Sequence, residues 1–193
     1  MLKSVVKQKK FMKKLKMIIE RQWAMPNKNT FIIKPINKLL KKEITGGEWI
    51  DPFANSFDFS VFNAKFVTND LNIDFDTDYH MDALDFLKQF SDKSLDGVLY
   101  DPPYSPRQVS ECYKKFGKDI TMETTQASFW SKHKDEIARI VKPGGKVICF
   151  GWNSMGCGIN RGFTMSVILL VPHGGSHNDT IITVEVKNKQ NIR

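Results

Sequence analysis

The sequence predicts an α/β domain built on a mostly parallel, doubly wound sheet that ends in an antiparallel β-hairpin. Three observations carry that expectation. Short β-rich runs alternate with helical periodicities between Glu48 and Gly151, which implies parallel strands joined by right-handed crossovers. A strong stop signal, Lys142-Pro143-Gly144-Gly145, separates the last of these helices from the strand that follows it. The last two β-rich runs, Phe163 to Val171 and Thr180 to Lys187, are joined by a Gly-Gly-containing loop over 173–179 and not by a helix, which reads as a hairpin.

Taken in order, residues 2–21 space Val5, Phe11, Leu15 and Ile18/Ile19 among lysines and predict a basic helix, so residues 1–22 form a basic N-terminal extension to a domain over 23–193. Met12 and Met17 are alternative starts. After a Pro26-Asn27 turn and the apolar Phe31 to Ile33, the pattern Ile36, Leu39, Leu40, Ile44 predicts a helix closed by Gly46-Gly47. Strands are then expected at Glu48 to Pro52, Lys65 to Asp70, Asp78 to Met81, Gly97 to Tyr100 and Lys146 to Gly151. Helices are expected at Ala83 to Phe90 and about Gln126 to Val141, the second stopped by Lys142-Pro143-Gly144-Gly145. Residues 105–126 read as a polar loop.

The charge is unevenly placed. Residues 1–42 hold 13 Lys/Arg against the single acid Glu20, net +12, whereas residues 43–193 are net −4. A basic arm on an acidic body suits contact with a phosphate backbone by counterion release. No apolar run approaches the roughly 18 residues of a membrane span, and no signal-peptide core is present, so a cytoplasmic location is expected. Cys112, Cys149 and Cys157 have no CxxC spacing, which predicts idle thiols and no zinc site. His173 and His177 read as polar loop residues, and His80 and His133 as incidental; no metal is expected.

The stretch "LDGVLYDPPYSPRQ" ends an apolar strand on an acid, two prolines and a ring. Neither proline can donate to a sheet ladder, so the strand stops there and Asp101, Pro102, Pro103 and Tyr104 are presented at the carboxyl edge. Asp51, Asp70 and Asp82 also stand at or just past predicted strand ends, where ligands collect in doubly wound sheets. Capping is an equal reading for Asp82. The glycine-rich 151–161 stretch places Asn153 and Arg161 where they could line an entrance.

"WIDPFANS" followed by "DPPYS" resembles the paired signatures of the S-adenosylmethionine-dependent amino-methyltransferases, particularly adenine-specific DNA methyltransferases of phage or mobile-element type. The resemblance spans about residues 23–187 and implies a Rossmann-like methyltransferase fold with S-adenosylmethionine as cofactor. It implies cofactor binding by Asp51, Pro52, Phe53 and Ala54, ribose contacts from Asp70, and adenine contacts around Asp82 and Ala83. Asn55 and Phe57 replace expected glycines, which predicts a different loop shape or weaker binding.

The same resemblance makes Asp101 to Tyr104 the catalytic tetrapeptide. An exocyclic amino nitrogen is a poor nucleophile, but if the Asp101 carboxylate and the Pro102 carbonyl each accept one amino hydrogen, its lone pair is aimed at the sulfonium methyl. The two prolines fix that carbonyl, and Tyr104 is expected to stack on a flipped base with its hydroxyl dispensable. The expected substrate is adenine in DNA. The alternatives are an RNA base, a cytosine amino group, a protein glutamine, or a non-catalytic nucleic-acid-binding subunit. With no separate target-recognition domain after Tyr104, specificity is expected from loops, the basic arm, a homodimer or a partner subunit.

Overall fold

The computed structural model describes residues 17–116 and 127–189. Within them, seven strands form one sheet: β1 (Ile18–Arg21), β2 (Glu48–Asp51), β3 (Lys65–Thr68), β4 (Leu95–Tyr100), β5 (Val141–Gly151), β6 (Phe163–Val171) and β7 (Thr180–Lys187). Their order is β1-β6-β7-β5-β4-β2-β3, and every pairing is parallel except those that β7 makes with β5 and β6. This is the predicted sheet, hairpin included. Helices α1 (Lys34–Glu43), α2 (Ala83–Lys88), α3 (Pro106–Lys115) and α4 (Ala127–Ile140) complete the described elements.

Both faces of the sheet are covered because its central strands are apolar on both. Leu99, Ile148 and Phe150 face a core shared with Ile36, Leu39 and Leu40 of α1, three residues at helical spacing. Val98, Tyr100 and Val147 face the opposite core, packed on Phe86 and Leu87 of α2 and Ile137 and Ile140 of α4. The crossover from β2 to β3 carries no α-helix. A 3₁₀ turn at Phe59–Val61 and the interlocked rings of Phe57, Phe59, Phe62 and Phe66 cover the sheet in its place. Gly97 is required where Trp49 crosses β4, since a Cβ there would stand 2.4 Å from the indole ring.

Five expectations need correction. Ile18 to Arg21, expected in a basic helix, form an edge strand paired with Val167 to Leu170; the rest of that expected helix lies outside the described residues, apart from Met17, which is in no element. Asp78 to Met81 make only one bridge, Asn69 to Tyr79, because side chains take over the ladder's role: the Asp78 carboxylate accepts from the Thr68 N–H and hydroxyl, each at 2.8 Å. The polar loop after Tyr104 begins as a helix, α3. Strand β5 begins at Val141, ahead of the Pro-Gly-Gly turn, with its register on β4 shifted between Leu95 and Gly97. His173 is also buried, its ring bonded to the Ala24 carbonyl and the Thr180 hydroxyl, both at 2.8 Å, so it fastens the chain after β1 to the hairpin loop.

The chain leaves β2 toward β3 on one side and returns to β4 on the other. Strand order therefore reverses at β2 and β4, and the crevice beyond their carboxyl ends is where this architecture binds ligands.

Candidate active site

A cavity of about 420 Å³ opens at that crevice. Its walls are the loops after β2 and β3, the turn before α2, the Asp101 to Tyr104 segment and one side of α3. Every expected site residue lines it except Asp51. That aspartate is fully buried beneath the loop, where one carboxylate oxygen accepts the Phe53 N–H at 2.8 Å and the other has no partner among the described residues. Burial, then the nearby Asp101 and Asp70, push its carboxyl well above the ordinary range against the pull of the Phe53 amide.

The other acids are held largely by residues of the cavity wall itself, Asn55, Asn72 and Tyr113. Asp70 accepts the Asn55 N–H at 3.1 Å and the Asn72 N–H at 2.8 Å, so it joins the loops after β2 and β3 as well as facing the cavity. Asp82 caps α2 by accepting from Leu84 at 2.9 Å, and its other oxygen accepts the Tyr113 hydroxyl of α3. Asn55, in place of glycine, adopts φ 53°, a left-handed conformation that asparagine tolerates better than most residues. Glycine adopts such a conformation readily as well. Phe57, the other replacement, enters the aromatic cluster, 5.3 Å from Phe31.

At the carboxyl end of β4, Asp101 is held by two hydroxyls, from Tyr104 and from Thr30. Thr30 arrives from far upstream, on a 3₁₀ turn whose cap Asn29 accepts the Phe31 N–H at 3.2 Å. Burial raises the Asp101 carboxyl to about 6 and the two hydroxyls oppose that rise. Tyr104 is held above its ordinary range by burial and by the Asp101 charge. The Trp130 indole donates to the Pro103 carbonyl at 3.0 Å, whereas the Pro102 carbonyl has no donor among the described residues. Asp101 and Pro102 are consecutive, and an ionisable carboxylate and such a carbonyl can together accept two hydrogens of one amino group. The Tyr104 hydroxyl, expected to be dispensable for stacking, bonds the acid itself.

A second cavity, about 510 Å³, lies on the other side of Pro102 and Tyr104. Tyr104, Trp130 and Trp152 supply aromatic walls, and Lys134, Asn153 and Arg161 supply polar ones. Tyr104 and Trp152 meet edge to face at 5.6 Å. Asn153 and Arg161 therefore do reach a cavity next to the tetrapeptide. Arg161 is also anchored, by Asp135 at 2.6 Å and by the Ser131 hydroxyl at 2.8 Å.

The structure also brings in residues that sequence spacing did not mark. Buried Asn69 bonds the Pro52 carbonyl at 3.1 Å and both backbone groups of Met81, tying the loop after β2 to the turn before Asp82. His133, expected to be incidental, is buried under the site and shares a 3.0 Å hydrogen bond with the Tyr100 hydroxyl; burial lowers its imidazole to about 4, so it is neutral at pH 7. Gln108 fixes the backbone of Tyr104 by accepting its N–H at 2.7 Å.

By sequence, the chain matches no protein-family model and no curated protein. Solved structures do resemble it. The 1,6-didemethyltoxoflavin-N1-methyltransferase of Burkholderia thailandensis, bound to 1,6-didemethyltoxoflavin and S-adenosylhomocysteine, is 11% identical with a TM-score of 0.55, over 81% of this chain and 78% of that one. TrmN from Thermus thermophilus is 15% identical with a TM-score of 0.53, over 81% of this chain and 49% of its own. SMU.776, a methyltransferase complexed with S-adenosylhomocysteine, is 13% identical with a TM-score of 0.52, over 78% of this chain and 48% of its own. The chain thus spans about half the length of the last two. At these identities the likeness establishes the fold, which is the Rossmann-like methyltransferase fold.

Proposed function

We propose that this chain transfers the methyl group of S-adenosylmethionine to the exocyclic amino group of a nucleic-acid base, with adenine in DNA as the substrate. The observation that carries the reading is the tetrapeptide at the end of β4, where Asp101 lines the first cavity and the adjoining Pro102 and Tyr104 line both. The first cavity has the size and chemistry for a nucleoside cofactor. Its volume falls in the range of small-molecule sites, Phe53, Met81 and Phe129 supply apolar surface, and Asp70 and Asp82 supply acceptors for hydroxyl and amino groups. Two of the similar structures hold S-adenosylhomocysteine, which supports the same assignment.

The second cavity receives the base. A base inside a duplex cannot reach the methyl donor, so it must be flipped out, and Tyr104, Trp130 and Trp152 offer it flat faces. Asp101 and the Pro102 carbonyl then accept the two amino hydrogens and orient the nitrogen lone pair. As the nitrogen gains positive charge, the carboxylate attraction strengthens, which lowers the barrier more than it tightens substrate binding. The left-handed Asn55 and the intact tetrapeptide support an enzyme over a non-catalytic subunit.

A small heterocyclic amine is the second reading, because the aromatic second cavity could take a free ring without any duplex. One experiment separates the readings. Calorimetry with S-adenosylmethionine tests the cofactor, and expression in a methylation-deficient bacterium, followed by single-molecule mapping of modified bases, tests the substrate. Cofactor binding with a methylated adenine motif supports the proposal; cofactor binding with unmodified DNA and RNA turns the site toward a small molecule.

A further inference from the structure

Outside the two cavities' chemistry, the described residues contain one other convergence of reactive groups. The thiols of Cys149 and Cys157 and the carboxylate of Glu185 are all buried, and a donor atom from each lies within 4.8 Å of the other two. They come from three places: the end of β5, the loop that follows it, and β7, where Glu185 pairs across the sheet with Val147. We propose that Cys149, Cys157 and Glu185 form a zinc-binding site.

Glu185 is 1% exposed in the middle of the sheet and forms no ion pair among the described residues. Its partners are the backbone N–H groups of Cys157 and Gly158, which orient the carboxylate toward the loop that carries the second thiol. That arrangement resembles the outer-shell hydrogen bonding that fixes a metal ligand. Gly156 lets the loop close over the acid, since a Cβ there would stand 2.2 Å from a carboxylate oxygen. A buried carboxylate without a cation is costly, and a divalent ion supplies the missing charge. Two thiolates disfavour magnesium and calcium, and the hard carboxylate oxygen disfavours monovalent copper; zinc accepts both ligand types.

Sequence spacing could not reveal the set, because its members belong to separate segments and form no short chelate motif. The bound ion would fasten the loop over 152–161 to β5 and β7. That loop walls the second cavity through Trp152, Asn153 and Met155, and Cys149 itself lines the same cavity. Each thiol must release its proton on binding, so zinc affinity should rise with pH.

The test uses the full chain, expressed with zinc and dialysed against metal-free buffer, with metal content measured by mass spectrometry. Cobalt substitution would then report thiolate ligation through its ultraviolet charge-transfer band. The expected result is stoichiometric zinc and a cobalt–thiolate band, with Cys157→Ser and Glu185→Gln each lowering zinc affinity by more than about tenfold. Cys112→Ser should leave the metal unchanged, and circular dichroism with thermal unfolding reports whether each variant is folded. Should the ligand variants fail to fold, the wild-type protein still decides the matter. Absence of zinc with both thiols reactive, or isolation of the wild type with a Cys149–Cys157 disulfide, would overturn the proposal.

Discussion

Asp101 sets burial against charge. Its carboxyl stands near 6 because burial outweighs the hydroxyls of Tyr104 and Thr30, and the ionised form is the stronger acceptor for an amino hydrogen that gains positive charge. Methyl transfer in a single turnover should therefore increase with pH through about 6 and level off above it, a limb that a pH–rate profile resolves. Tyr104→Phe removes one of the donors that oppose the rise, so the limb should move to higher pH while the plateau changes little. An unmoved limb would mean that the hydroxyl does not act on the acid. Asp51 makes the complementary case. Its folded carboxyl lies well above the unfolded value, so the stability linked to its proton is full below the ordinary carboxylate range and is lost as pH rises through the folded value. Asp51→Asn keeps the acceptor for Phe53 without the buried charge. Urea unfolding should find this variant more stable than the wild type at neutral pH, with the gap closing below about pH 4.

At the level of elements, α3 shows why part of the site escaped the sequence. Val109 is its one fully buried residue, so hydrophobic periodicity is almost silent over 106–115. The available signal was local: Ser105-Pro106-Arg107-Gln108 is a capping sequence with proline at the start, and Ser105 does accept the Gln108 N–H at 3.2 Å. The two preceding prolines made the stretch read as loop. Strand 78–81 erred the other way, because nothing in alternation reveals that Asp78 and Asn69 replace ladder bonds with side-chain bonds. Since α3 carries Cys112 and Tyr113 into the first cavity, its cap should matter for binding there. Ser105→Ala is expected to cost about 1 kcal/mol in thermal or chemical unfolding and to weaken S-adenosylmethionine binding in calorimetry. A stability loss with unchanged affinity would separate α3 from cofactor binding.

Across the whole molecule, the legible features were those with a repeating cause. Alternating strands and crossovers fix a parallel sheet, and acids past strand ends mark its ligand edge; Asp70, Asp82 and Asp101 all reach the cavity. Thr30, Asn69 and Glu185 were not legible because their partners lie far along the chain and meet only after folding. Charge is a further whole-molecule property. Residues 1–16 hold seven lysines and no acid, so deleting them should weaken nucleic-acid binding and flatten its salt dependence, by up to about 0.9 in log–log slope for each phosphate that is no longer neutralised. Fluorescence titrations over a salt series check this, and an unchanged slope would remove the arm from the interface. In the proposed mechanism methyl transfer hinges on Asp101, and the sharpest probe of that dependence is single-turnover transfer of a labelled methyl group to adenine-containing DNA. Asp101→Ala should bind S-adenosylmethionine nearly as the wild type does while transfer falls by about two to three orders of magnitude. Transfer by Asp101→Ala at the wild-type rate would contradict this mechanism, leaving the tetrapeptide as a strand terminator without a catalytic role.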